Sequence, residues 1–424
     1  MIAESYKKGV SMKTIEWPQE FPGAHWFDGE EEQAVKNVIR RGAPFRHYGL
    51  STPEYVTKFE TAACEFYSIK HALGVNSGTG ALITAMSALG IGPGCEIIVP
   101  AFMWVATVTA VVNANAIPVL CEVDDSFTMD TADLEKKITP RTKLIIPVHM
   151  AGAPCDMEAI MNTAKRHGIR VLEDVAQCNG GSIKGRKLGT FGDIGMFSLQ
   201  LNKNMTTGEG GFVVTDDDAL FERLQTAHDT GYVWKDGTPT EPSPEALGWG
   251  NGRRMSELIG AVASVQIKKI PAIIEHMRGS HARIKAMLKS TIPGLSFRRL
   301  NDPDGYTGPF MVIILDNETQ AVKTARYMKD NGLTSTSRIA EYGLHIYSNI
   351  LQLVKKTPLS PSGNPWNLEA NSKSVYDYSK GACPQSDALF SRSVLVPIPS
   401  QLTEEQEKWA ADIIAQAVRI RDKG

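Results

Sequence analysis

Ser198-Leu-Gln-Leu-Asn-Lys203-Asn-Met-Thr-Thr-Gly-Glu-Gly-Gly211 sets one lysine on a polar, glycine-rich turn between two apolar segments, Ile194 to Leu201 and Phe212 to Thr215. Short apolar runs bounded by glycine read as buried strands, so the lysine stands just beyond a strand end. A lysine stripped of water there has a lowered pKa, and only the neutral amine attacks a carbonyl to form a Schiff base. Most lysines beside glycines are solvated turn residues. The meaning of this one therefore depends on what the rest of the chain supplies.

Working outward, strand and helix signals alternate. Leu73 to Val75, Glu96 to Pro100, Pro118 to Val123, Lys143 to Val148, Arg170 to Glu173 and Met196 to Leu199 read as strands. Between them, Gly78 to Leu89, Trp104 to Asn115, Thr131 to Lys137 and Met157 to His167 read as helices. This alternation predicts an α/β fold built on an open, mostly parallel sheet in three layers, with ligands bound at the carboxyl ends of the strands. After Asn251 the texture changes to a long helix that continues past Pro271, a strand at Pro309 to Leu315, a loop-like stretch from Leu351 to Lys380 and a closing helix from Glu404 to Arg421. The expected division is an extension over 1–27, a large domain over 28–253, and a linking helix with a smaller α+β domain over 254–424.

Composition excludes several classes. The 424 residues are 42% apolar and 22% charged with a net charge of −2, which gives nucleic acid or an anionic membrane no electrostatic hold. The six cysteines are scattered without C-x-x-C or metal-ligand spacing, so free thiols in a reducing cytoplasm are expected, with no disulfides and no metal. Met1 to Lys13 has no apolar core of a leader, and the longest apolar stretch, Val105 to Leu120, is interrupted by Asn113, Asn115 and Pro118.

Four further features converge on one ligand. Asn76-Ser-Gly78-Thr79-Gly-Ala81 lies between a strand and a helix, where small residues free the first amides of the helix for a phosphate. Trp104 follows the next strand and can stack on a planar ring or cap the core. Asp174, after Arg170 to Leu172, can hold a proton on a pyridine nitrogen and make the ring an electron sink; alone it reads as an N-cap or a surface carboxylate. Ser198 can add a hydroxyl to the phosphate cradle. Each taken singly has a bland reading, but together with Lys203 they describe a pyridoxal 5'-phosphate site.

The chain resembles the DegT/DnrJ/EryC1/StrS family of sugar aminotransferases, which share the aspartate aminotransferase fold. The likeness is carried by Gly74-Val-Asn-Ser-Gly-Thr-Gly-Ala81, Gly92-Pro-Gly-Cys-Glu-Ile-Ile-Val-Pro100, Ile138-Thr-Pro-Arg-Thr-Lys143, Pro147-Val-His-Met-Ala-Gly152, Leu172-Glu-Asp174 and Phe197 to Gly211. The resemblance implies that Lys203 is the Schiff-base lysine and proton carrier, and that Asp174 partners the ring nitrogen. It places Trp104 on the ring face, Gln177 near the ring hydroxyl, and Gly78, Thr79 and Ser198 at the phosphate.

It also implies a homodimer with shared active sites, in which Asn251 reaches the partner's cofactor phosphate. Asn251 and Arg254 stand three apart, where the family spaces this pair two apart. The implied reaction moves an amino group from glutamate or glutamine, through pyridoxamine 5'-phosphate, to a keto sugar, cyclitol or ulosonate. Arg46, Arg253 and Arg254 are candidates for the donor carboxylate, each also readable as a surface or structural arginine. A pyridoxamine-dependent sugar dehydratase carries histidine at the lysine position, so Lys203 opposes that alternative, and the intact residue set opposes a non-catalytic regulatory protein. Pro293 to Arg298, Asn301 to Gly305 and Pro384 to Arg392 resemble a branch that aminates an eight-carbon ulosonic acid.

Overall fold

A computed structural model describes residues 15–420. The stretch read as lacking a leader, the first part of the 1–27 extension, and Arg421 at the end of the closing helix lie outside the described residues. The main sheet has seven strands: β1 (His71–Val75), β2 (Glu96–Pro100), β3 (Ile117–Cys121), β4 (Thr142–Ile145), β5 (Arg170–Asp174), β6 (Ile194–Ser198) and β7 (Gly211–Thr215). Their order is β1-β7-β6-β5-β4-β2-β3. Strands β2 to β6 pair in parallel, and β7 runs antiparallel to both of its neighbours.

The reversed strand has a simple cause. A parallel pairing needs a crossover, usually a helix, whereas the segment joining β6 to β7 holds no helix and must turn back. That segment is the Lys203 turn, so one short connection both breaks the parallel pattern and carries the lysine. Residues of β2, β3, β6 and β7 are buried throughout, as expected of strands covered on both faces.

Helix α1 (Gly78–Ala88) begins directly after β1, capped by Ser77, whose Oγ accepts from the Gly80 amide at 2.9 Å. Helix α2 (Val105–Asn113) begins after Trp104, which occupies the N-cap position instead of the first turn. Helix α3 (Asp218–His228) follows β7. Helix α4 (Glu257–Thr291) runs unbroken through Pro271 and feeds two cores: Ile267 and Ile270 pack beneath the main sheet, Ile284 and Leu288 beneath a second sheet. That second sheet joins β8 (Ser296–Phe297), β9 (Phe310–Ile314), β10 (Ser337–Arg338) and β11 (Ser393–Pro397) in the antiparallel order β8-β9-β11-β10. Helix α5 (Glu404–Val418) covers it with Trp409, Ile413 and Ile414.

The stretch from Leu351 to Lys380 contains a short helix, Leu351–Val354, and is pinned by buried polar contacts. Asn371 accepts from the Gly94 amide at 2.6 Å, and the Tyr378 hydroxyl donates to the Pro118 carbonyl at 2.7 Å. At the other end, the Gly23 amide donates to the Lys203 carbonyl at 3.0 Å, so the segment around Gly23 reaches the lysine turn.

One buried carboxylate joins the start of α4 to an earlier helix. The helix Tyr55–Tyr67 receives no cap bond from its own N-cap residue, and instead Glu257 accepts from the amides of Glu54, Tyr55 and Val56 at 2.8, 2.7 and 2.9 Å. Removing it leaves orphaned donors at a helix end whose dipole favours an acid. Glu257→Ala is expected to cost on the order of 3 kcal/mol of stability, read from urea unfolding midpoints; an unchanged midpoint would show that the cap is dispensable.

Candidate active site

The carboxyl ends of β1, β5 and β6 open onto one cavity of about 370 Å³. Its lining includes Gly78, Thr79, Trp104, Asp174, Gln177, Ser198 and Lys203, so seven of the residues singled out by sequence meet in one space. The volume falls within the range typical of small-cofactor sites. A smaller adjoining cavity of about 90 Å³ shares Lys203 and Gln177 and adds Glu20, Tyr342 and Phe310. The lysine thus stands where the two spaces meet.

Lys203 is half-buried on the turn after β6. Burial lowers its pKa below the ordinary lysine value, and the charge of Asp174 opposes that shift. Asp174 ends β5 and is 4% exposed; burial raises its pKa, against hydrogen bonds to the carboxylate from the Ala176 amide and Thr107 and the charge of Lys203. The Thr107 hydroxyl donates to one carboxylate oxygen at 3.0 Å and the Ala176 amide to the other at 3.1 Å. These fixed donors aim the carboxylate and oppose its neutralisation.

The first turn of α1 meets the end of β6 by close backbone approach. The first amides of α1, at Gly78 and Thr79, have no acceptor within their own helix. A Cβ at Gly78 would lie 2.7 Å from Ser198 Cβ and 2.8 Å from its Oγ. Glycine therefore lets the helix end rest against the end of β6, which brings the Ser198 hydroxyl beside the free amides.

Gln177 is oriented by its neighbours. Its Oε1 accepts from the Ala151 amide at 3.0 Å, so its amide nitrogen faces His345 Nε2, also at 3.0 Å. That nitrogen must then be an acceptor, which fits a ring kept neutral: burial and the Lys203 charge push the His345 pKa down to about 3. His345 also packs against Trp104 with centroids 4.7 Å apart, and stacks on Tyr342 at 4.3 Å.

Other candidates lie outside this cavity. Arg46 Nη2 is bound to Glu60 at 2.7 Å, and Arg254 Nη1 to Asp229 at 3.1 Å. Arg253 makes no ion pair among the described residues; its chain runs beside the first turn of α1, and its Nε is buried without a partner. Asn251 is exposed, held through its backbone to Ala227. Buried Cys178 donates to the Gly152 carbonyl, and buried His149 lies between the Cys155 amide and Glu173.

The segments that suggested an ulosonate branch also lie away from the cavity. Arg298 donates to the carbonyls of Ser126, Met150 and Ala151, and the amides of Gln385 and Ser386 bind Glu122. They clamp parts of the chain together.

Sequence reasoning missed Thr107, Glu20 and His345. Thr107 stands one helical turn after Trp104, and that spacing on α2 was a usable signal. Glu20 and His345 arrive through long-range packing and carry no local pattern.

A lysine, a buried carboxylate and an open helix end, gathered at the carboxyl edge of a seven-stranded sheet, define a pyridoxal-phosphate enzyme of the aspartate aminotransferase-like fold. The DegT/DnrJ/EryC1/StrS aminotransferase family model matches residues 27–356, and the chain belongs to that family. It is 32% identical over 347 residues to the GDP-perosamine synthase of Vibrio cholerae, covering 79% of this chain and 89% of the relative. It is 34% identical over 353 residues to the UDP-N-acetyl-3-dehydro-alpha-D-glucosamine 3-aminotransferase of Acidithiobacillus ferrooxidans, covering 82% and 85%. Among solved structures it resembles 3-amino-5-hydroxybenzoic acid synthase, with a TM-score of 0.76 and 25% identity over 96% of this chain and 98% of the other. The protein is a pyridoxal-phosphate-dependent transaminase.

Two outcomes follow from this geometry. Gly78→Ala is expected to press on Ser198 and weaken cofactor retention by more than about 10-fold, measured by equilibrium dialysis, the loss of more than about 1.4 kcal/mol of binding. A lysine with a depressed pKa makes the unfolded chain bind more protons than the folded one up to pH 10.5, so apoprotein stability rises with pH through that window. Lys203→Met is expected to flatten this slope in thermal unfolding from neutral to alkaline pH; an unchanged slope would place the titration elsewhere.

Proposed function

We propose that the protein transfers an amino group from glutamate or glutamine to a keto sugar, cyclitol or ulosonate in amino-sugar biosynthesis, with Lys203 as the catalytic residue. The meeting of Lys203, Asp174, Ser198 and the α1 amides in one cavity is the observation that carries this reading. Pyridoxal phosphate, when bound, supplies an electrophilic carbonyl carbon and an electron-withdrawing ring. The amides of Gly78 and Thr79 and the Ser198 hydroxyl would hold its phosphate. Asp174, aimed by Thr107 and Ala176, would keep a proton on the ring nitrogen, Trp104 would cover the ring face, and Gln177 would face the ring hydroxyl.

Lys203 then takes and returns the substrate proton, a task that a lowered pKa suits because the base form is populated nearer neutrality. Of the three arginines, Arg253 is the proposed partner of the donor carboxylate: it makes no ion pair among the described residues and lies beside the open end of α1. Glu20, in the smaller cavity, would meet acceptor hydroxyls, while His345 orients Gln177.

The reading includes a cytoplasmic homodimer. Its support is an exposed apolar surface on two adjoining segments, with Leu50 and Trp249 each 93% exposed and Tyr48, Tyr232 and Leu247 also exposed. Tyr48 touches Trp234 on the hairpin that pairs Val233–Lys235 with Thr238–Thr240, and Gly231 lies against Gly248. Asn251 stands exposed at this surface, where a second copy would bring its own cofactor phosphate. The six cysteines are free, and no helix among the described residues is long and apolar enough to cross a membrane.

The test is spectroscopic and then kinetic. Purified protein is expected to show a cofactor band near the visible edge that shifts on adding glutamate and vanishes in Lys203→Ala. A panel of keto sugars, cyclitols and ulosonates, each with glutamate and with glutamine, is expected to reveal turnover of at least one. Turnover with simple α-keto acids only would refute the sugar assignment. Arg253→Met is expected to raise KM for the donor at least about 10-fold, while an unchanged KM would move that role elsewhere.

A further inference from the structure

Three side-chain atoms with no part in the cavity above converge beside the end of α3. His47 Nε2, His228 Nε2 and Asp229 Oδ2 lie within 4.8 Å of one another. All three are buried without a hydrogen-bond partner, and His228 and Asp229 are 3% and 1% exposed. Buried polar atoms are nearly always satisfied, so three unpartnered ones that face one another make a candidate ligand site.

Their chemistry narrows what that occupant is. His228 Nδ1 lies 2.6 Å from the Gln225 carbonyl, which only accepts, so Nδ1 carries the proton and Nε2 presents a lone pair. Asp229 Oδ2 is a second inward acceptor. His47 Nε2, 3.4 Å from it, can offer a single proton between them. Acceptors therefore outnumber donors, which a cation resolves. Two imidazoles and one carboxylate are a zinc donor set, and 3.4 Å is close to the ligand-to-ligand spacing of about 3.3 Å expected for bonds of about 2.0 Å in a tetrahedral site.

The outer contacts of a metal site are also in place. Gln225 fixes the His228 tautomer, and the His47 ring stacks on Trp234 at 4.3 Å and 3°. The other Asp229 oxygen, Oδ1, accepts from the Thr230 amide at 2.7 Å and from Arg254 at 3.1 Å, which leaves Oδ2 directed inward. Of the neighbouring cations, Arg46 is bound to Glu60 and Arg254 to Oδ1.

We propose that His47, His228 and Asp229 bind one divalent transition-metal ion of the zinc class per protomer. The ion braces the approach to the cofactor site. The amides of Asn251, Gly252 and Arg253 donate to the carbonyls of Ala227, Asp229 and His228, and the Arg253 carbonyl accepts from Asn76, just before the phosphate turn. A metal at the end of α3 thus fixes the segment that carries Asn251 and Arg253.

The test uses the full-length protein, stripped of metal with a chelator and dialysed. Titration with Co²⁺ is expected to give one equivalent of visible d–d absorption per protomer, displaced by one equivalent of Zn²⁺ in calorimetry. His228→Gln and Asp229→Asn are expected to weaken binding by more than about 100-fold, beyond the cost of losing an outer contact. His47→Gln, at a partly exposed side chain, gives the same reading if either buried variant fails to fold. Absence of stoichiometric binding would overturn the proposal in favour of a buried water bridging the three atoms, and equal binding by the folded variants would overturn it too.

Discussion

The candidate site rests on holding a half-buried amine beside a buried carboxylate. Burial pushes the Lys203 pKa down and the Asp174 pKa up, and the attraction between their charges opposes both shifts. Neither group would hold its function in open solvent. A free lysine is protonated and inert as a nucleophile, and a free aspartate competes with water for any ring nitrogen. Thr107 and the Ala176 amide oppose the upward shift at Asp174 without cancelling it, since two donors aimed at its oxygens favour the ionised form.

The sheet exists in the form that makes this possible. Parallel strands gather their carboxyl ends at one edge, so Asp174 and Ser198 arrive side by side from β5 and β6, and the start of α1 arrives from β1. The reversed β7 permits the helix-free connection on which Lys203 stands. A longer, helical crossover at that point would carry the chain away over the sheet face. Gly78 completes the arrangement by steric permission: without a Cβ, the helix end can rest on Ser198.

Around the cavity, buried carboxylates hold segments that are distant in sequence. Glu257 caps the helix Tyr55–Tyr67, and Glu173, next to Asp174, accepts from the amides of Gly189, Phe191 and Gly192. Asp229 shows the same logic with a different result. Arg254 and Thr230 occupy one of its oxygens, and the other is left facing two histidines. A carboxylate satisfied on one side only is an anchor that still has capacity to bind.

Local pattern decided the sheet and the chemistry. Apolar runs between glycines located β6 and β7, small residues after β1 located the open helix end beside Ser198, and an acid after Arg170 to Leu172 located Asp174. These are short-range signals, because strand ends and helix caps are built from neighbours in the chain. The long helix α4 was also legible, as was the closing helix. Thr107 was within reach through its spacing from Trp104. What only the tertiary structure decided depends on contacts across the chain. Glu20 and His345 come to Lys203 from either end of it, Arg46 and Arg254 are drawn to Glu60 and Asp229, and His47 meets His228 and Asp229 with no motif to announce it. Sequence spacing records which residues are neighbours along the backbone; burial and the pairing of charges, which determine what each side chain is free to do, are settled only when the chain closes on itself.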